Sequence, residues 1–231
     1  MIQVRHSNER GAAEYIWLKS RHTFSFAGYY DHEHMGVSAL RAINDDKVTP
    51  GNGFGTHSHQ DMEIISYVKK GSIEHKDSMG NVKRLPAGEF QLMTAGRGVT
   101  HSEYNPSNTV PLEFIQIWIQ PNVYGIEASY QQKRFDNMDG LQLIASPDAR
   151  DGSLLIHQDA CLFQLRLKAD QNASHPLDPG RTVYVHVVSG DLVVDGKRLH
   201  EGDGATVKDV KTVDFTVDGN SISEALLFDL P

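Results

Sequence analysis

Two short polar pairs carry the chemistry open to this sequence, His57-x-His59 and His101-x-Glu103. In a β-strand, residues i and i+2 face the same side, roughly 6.5–7 Å apart. Each pair therefore aims two side chains in one direction. If the two segments lie side by side in a sheet or barrel, three imidazoles and one carboxylate converge. That donor set suits one divalent transition-metal ion such as Fe, Cu, Ni, Mn or Zn. Four protein ligands around an octahedral ion leave about two positions for water, substrate or O2, whereas a closed structural zinc site leaves none.

A His-x-His pair alone says little. With 12 histidines in 231 residues, about 0.6 such pairs arise by chance. The chain holds another, His32-x-His34, in the glycine-flanked run DHEHMG. That run reads as a loop, and its histidines lack a framed partner. The first pair is framed. Gly51 lies six residues before His57, and Glu63 lies four after His59. Gly80, Pro86 and Gly88 follow in a G-x5-P-x-G pattern, and Asn105 lies four residues after His101. Glu63 is the rival of Glu103 for the carboxylate position. His75 and Asp77, in EHKDSMGN, read equally as a solvated loop or as support behind the ligands.

The elements that must position these residues read as strands. LEFIQIWIQP alternates strictly, with Leu112, Phe114, Gln116 and Trp118 on one face and Ile115, Ile117 and Ile119 on the other. That is a strand buried on at least one side. RHTFSFAGYY places Phe24 and Phe26 on one face in period two and reads as a half-buried strand. AAEYIWLKS reads as one β-like piece covering the barrel. Residues 121–150 are polar and turn-rich, a linker or crossover. A second β-rich run follows, through SLLIHQDACLFQLRLKAD, RTVYVHVVSGDLVVDGKRLHEGDGATV, TVDFTVDG and EALLFDL. Within it, Asp195-Gly196 suits a type I′ hairpin turn.

The two halves share a plan. KRLPAGE at 83–89 and KRLHEGD at 197–203 match 114 residues apart, and Gly71 matches Gly190 at an offset of 119. Carried across, His57 and His59 fall on Pro176 and Asp178, and His101 and Glu103 on Phe215 and Val217. Phe and Val bind no metal. The chemistry is therefore expected in the first copy, with the second structural.

The framed motifs match the two signatures of the cupin superfamily, a small antiparallel β-barrel with a metal in its mouth. The wider text, RHTFSFAGYYD, HMGVSALRAINDD, HQDMEIISYV and TAGRGVTHSE, resembles the pirin family of bicupins, and within it the bacterial quercetin 2,3-dioxygenase type. The resemblance is dense to about residue 120 and returns in EALLFDLP. It implies an all-β bicupin of two antiparallel, jelly-roll-like barrels. Residues 1–125 are expected to form the metal-binding domain and 126–231 a domain without ligands. It implies His57, His59, His101 and Glu103 as the ligand set, with Glu103 also the catalytic base. It further implies cleavage of a flavonol by O2, with release of CO and a depside. Its other implication is a metal-dependent, redox-responsive regulator or binding module.

Bulk composition narrows the setting. Net charge is −8, and no basic run appears, so direct binding of nucleic acid is not expected. No apolar run approaches a membrane span. The single cysteine, Cys161, rules out an internal disulfide. Together these point to the cytoplasm. With two barrels already in one chain, a monomer is expected.

Overall fold

The computed structural model describes residues 1–136, 138–217 and 222–231. The first half of the chain supplies β1 (Ile2–Arg5), β2 (Gly11–Glu14), β3 (Leu18–His22), β4 (Leu40–Val48), β5 (Gly53–His59), β6 (Glu63–Lys70), β7 (Ser72–Asp77), β8 (Val82–Pro86), β9 (Glu89–Thr94), β10 (Val99–Tyr104) and β11 (Leu112–Ile119). The second supplies β12 (Ser129–Arg134), β13 (Gly140–Ser146), β14 (Leu154–Leu155), β15 (Cys161–Leu167), β16 (Asn172–Pro176), β17 (Thr182–Ser189), β18 (Leu192–Val194), β19 (Lys197–Leu199), β20 (Gly204–Lys208), β21 (Thr212–Thr216) and β22 (Ser223–Leu230). The tail of the expected TVDFTVDG strand, from residue 218, lies outside the described residues.

These strands build two sandwiches on one plan. The first pairs a sheet ordered β12-β9-β6-β11-β4-β3-β2 with a sheet ordered β5-β10-β7-β8. The second pairs β1-β20-β17-β22-β15-β13-β14 with β16-β21-β18-β19. The end strands are exchanged. β1, from the start of the chain, pairs with β20, while β12, which follows the first sandwich, pairs with β9. The polar text at 121–150 thus holds two strands, β12 in the first sandwich and β13 in the second.

The alternation along β11 reads out directly. Ile115, Ile117 and Ile119 join Ile65, Phe90, Tyr184, Leu226 and Phe228 in one core between the two large sheets. Leu112 and Phe114 point the other way, into the first sandwich. β11 is therefore buried on both faces. Tyr67 stacks on Phe90 at 4.3 Å in the shared core.

Inside the sandwiches the two copies diverge. In the first, one unbroken cross-strand row is polar, running Gln132, Gln91, Ser66, Gln116, Asn44, His22 across β12, β9, β6, β11, β4 and β3. In the second, the matching row is Val4, Ala205, Val185, Leu227, Phe163, Leu143. The offsets of 119 and 114 carry Ser66 onto Val185 and Gln91 onto Ala205. The second interior is an apolar core that includes Val185, Val194, Phe215 and Leu227. Amides are buried in the first only because something there takes their hydrogen bonds.

Two local expectations are corrected. AAEYIWLKS is a hairpin of β2 and β3, not one strand. The strand in RHTFSFAGYY stops at His22, and Ala27 adopts a left-handed φ of 50°. The bend separates the two aromatics. Phe24 packs on Tyr184 in the shared core, and Phe26 turns toward Trp118. The Asp195-Gly196 turn between β18 and β19 has positive φ at both residues, as a type I′ turn requires.

Candidate metal centre

β5 and β10 bring the two polar pairs together. They are antiparallel, with His57 opposite His101 and His59 opposite Val99. The register then slips, so that Glu103 faces Phe54. Gly53 permits the close approach at this end, since a Cβ there would lie 2.3 Å from the Glu103 carbonyl oxygen. On its other edge β10 pairs with β7, which places His75 opposite Glu103 and Asp77 opposite His101.

The ring centres of His57 and His101 are 4.4 Å apart, those of His59 and His101 4.9 Å, and those of His57 and His59 4.8 Å. One ligand atom from each of the three lies within 4.8 Å of the others. His101 belongs equally to a deeper group with His75 and Glu103, drawn to the same 4.8 Å limit. His101 is thus the hinge between the histidine pair and the carboxylate.

The donor atoms fit a cation. The Nδ1–H of His57 donates to the Gly55 carbonyl at 2.7 Å, which leaves the lone pair on Nε2. His59 Nε2, His75 Nδ1 and both ring nitrogens of His101 are buried without a hydrogen-bond partner. An unpaired buried polar atom costs about 1–3 kcal/mol, so several in one spot call for a common partner. Burial, and then the neighbouring imidazoles, lower His101 to about 3 and His59 to about 4. Both are neutral near pH 7, the state in which a histidine ligates.

Glu103 is 2 % exposed and receives the polar row. Gln91 Nε2 donates to its Oε1 at 3.0 Å, Ser66 Oγ to the same atom at 3.3 Å, and Gln116 Nε2 to Oε2 at 3.0 Å. Burial raises its carboxyl, opposed by the histidines and the Ser66 hydrogen bond. His75 Nε2 hydrogen-bonds Asp77 Oδ2 at 2.9 Å, with both side chains fully buried. The pair is therefore not a solvated loop.

Glu63, the rival carboxylate, stands elsewhere. It lies on the face of β6 that carries Ile65 and Tyr67, away from Ser66. There it accepts from Thr94 Oγ1 at 3.0 Å and from the His157 backbone N–H at 3.4 Å. His34 is tied to Asp31 at 2.7 Å and Arg5 at 3.1 Å. In the second sandwich His175 pairs with Asp229 and His186 with Asp45. Register sets Phe215 opposite Val194 there, as Glu103 is set opposite His75, so the structural counterpart of Glu103 is Phe215, two residues before the Val217 given by the offset of 114.

His57 and His59 open onto a cavity of about 810 Å³. Trp118 meets His59 edge-on at 5.0 Å and Phe26 at 5.0 Å, while Trp17 meets Phe54 at 5.3 Å. Residue spacing did not reveal Ser66 or Gln91 as site residues, because they meet Glu103 across strands. The one signal for Gln116 was its place among the apolar residues of one β11 face.

Comparison with known proteins accords with this arrangement. The Pirin family model matches residues 3–119, and the model of the quercetinase C-terminal cupin domain matches residues 143–230. The chain belongs to the pirin family. A relative from Escherichia coli K12 named quercetin 2,3-dioxygenase is 52% identical over 231 residues, covering 100% of this chain and 99% of that one. A pirin-like protein of Caulobacter vibrioides is 40% identical over 94% of each chain. The crystal structure of the bacterial pirin YhhW from E. coli in complex with nickel(II) superposes with a TM-score of 0.96 at 51% identity, covering 100% of this chain and 99% of that one. The two sandwiches are accordingly the bicupin fold of the pirins. No helix among the described residues is long and apolar enough to cross a membrane.

Proposed function

We propose that this pirin is a metal-dependent dioxygenase that cleaves a flavonol such as quercetin. His57, His59, His101 and Glu103 hold one divalent ion. The observation that carries the reading is the meeting of His57, His59 and His101, with unpartnered nitrogens on His59 and His101, beside an aromatic-walled cavity that His57 and His59 line. The E. coli relative named quercetin 2,3-dioxygenase and the nickel(II) complex of YhhW support it. When bound, the ion supplies a Lewis-acid centre with open positions for substrate and O2.

The chain's own residues do the rest. Glu103 takes the proton of the flavonol 3-hydroxyl, leaving an electron-rich flavonolate. Gln91, Gln116 and Ser66 hold the carboxylate in one orientation. Trp118, Phe26, Trp17 and Phe54 flank a flat ligand and exclude water. Overall, one O2 is consumed, two ring bonds break, and one ring carbon leaves as CO while the depside retains both oxygen-bearing fragments.

The test is oxygen uptake with quercetin by metal-reconstituted protein beside a His57→Ala, His59→Ala double variant. Uptake that needs both quercetin and the histidines is expected. Metal binding with no uptake under any divalent ion would reject the dioxygenase reading in favour of a metal-responsive binding module.

A further inference from the structure

The cavity has a second polar wall that the proposed metal chemistry does not use. Beyond Gln116 the sheet continues to β4 and β3, where two cross-strand rungs lie side by side, Asn44 opposite His22 and Asp46 opposite Ser20. All four residues line the cavity, and each is at most 6 % exposed. His22 Nδ1 lies 2.8 Å from Asn44 Oδ1 and 3.4 Å from Ser20 Oγ. Arg10, whose charge acts on Asp46, is committed to Asp45 at 2.6 Å. Asp46 forms no ion pair among the described residues. A buried carboxyl without a cation needs hydrogen bonds to offset its burial. This one faces a cavity, where a ligand can supply them.

Position gives the ligand's shape. Ser20 on β3 lies two interstrand spacings, roughly 10 Å, from Gln116, and Asp46 on β4 lies one spacing across and two residues along, roughly 8 Å; Gln116 itself touches Glu103. A rigid ligand reacting beside Glu103 therefore reaches the Asp46 wall only with a ring at its far end. Aromatic pairs flank the path, Phe26 with Trp118 and Trp17 with Phe54. The two rungs present adjacent hydrogen-bonding heads. We infer that Asp46, with Ser20 and Asn44, is a subsite for a pair of adjacent hydroxyl groups on the remote ring of a planar aromatic substrate. This rests on the dioxygenase reading for the orientation of the ligand, and it assigns specificity to residues outside the metal ligands.

Ligand binding without turnover tests it. Zinc-loaded protein under argon is titrated with quercetin and with 3,5,7-trihydroxyflavone, which lacks the adjacent hydroxyl pair, by quenching of tryptophan fluorescence. Quercetin is expected to bind about tenfold more tightly, the yield of one or two buried hydrogen bonds. Asp46→Leu, which keeps the side-chain size, reduces that ratio to about threefold or less and leaves the affinity for 3,5,7-trihydroxyflavone in place. Ser20→Ala shifts the ratio the same way and guards against misfolding of the first variant. Equal binding of the two flavones by the unaltered protein, or an unchanged ratio in both variants, would overturn the subsite. Discrimination without oxygen uptake would uphold the subsite while the dioxygenase reading fails; uptake without discrimination would do the reverse.

Discussion

His57 and His101 stand directly opposite each other across β5 and β10, with ring centres 4.4 Å apart. His101 also shares the deeper group with Glu103, so it joins both sources of donor atoms. Its loss should be the most damaging single change to metal binding. His101→Ala is expected to weaken Co²⁺ or Ni²⁺ affinity by more than about 100-fold, beyond the effect of losing an outer partner. Isothermal titration of the metal-free protein checks this. Binding within tenfold of the unaltered protein would reject His101 as a ligand.

Glu103 accepts from three side chains of one polar row. Replacing Gln116 with Leu removes a donor to a buried carboxylate and should cost about 1.5–3 kcal/mol of stability in metal-free protein at pH 8. Urea unfolding measures it. A change of a few tenths of a kcal/mol would mean that the amide contributes little to holding the carboxylate.

The buried acids and imidazoles pull stability in opposite directions with pH. His101 and His59 are held down at about 3 and about 4, so the unfolded chain binds more protons than the folded one up to the ordinary histidine value. Their contribution is complete above about pH 6.5 and is lost as pH falls through the folded values. Asp46, raised by burial to about 7, has the opposite sign. Its contribution is present below the ordinary carboxyl range and is lost as pH rises toward 7. Asp46→Asn removes that opposing slope. Between pH 4 and 7 the stability of the metal-free variant should rise more steeply than that of the unaltered protein, by up to about 1 kcal/mol per pH unit. Chemical denaturation across that range checks the sign, and imidazole ¹⁵N spectra at pH 5 should show His59 and His101 neutral.

The two large sheets share one core. Phe90 is fully buried there, stacked on Tyr67 and edge-on to Phe135 at 5.9 Å. Phe90→Ala should cost about 3–5 kcal/mol. Both sandwiches should still unfold in one calorimetric transition. Two separated transitions would mean that the sandwiches are energetically independent.

What could be read from the chain follows from the range of each interaction. Period-two spacing and glycine frames are local, so the meeting of His57, His59 and His101 was legible, whereas the grouping of His75 with His101 and Glu103 was not. The inward parity of Gln116 was also visible, but its partner Glu103 lies 13 residues away on another sheet. Nothing in the spacing of Gln91 or Ser66 announces that contact. The kink after His22 was hidden because TFSF alternates as a strand would. β12 was hidden for the converse reason. Its SYQQKR text is polar, since its side chains sit at the edge of the first sandwich and are only half-buried.

The exchange of β1 and β12 bears on how the chain assembles during synthesis. β1 is made roughly 200 residues ahead of β20, its one strand neighbour among the described residues. At about 5–20 residues per second, that edge waits on the order of 10–40 s for its partner. The first sandwich, in turn, completes its large sheet only after translation has passed residue 134. The metal-site half can therefore close its large sheet while the ribosome is still working, whereas the N-terminal strand waits for β20 and the second large sheet is completed by β22.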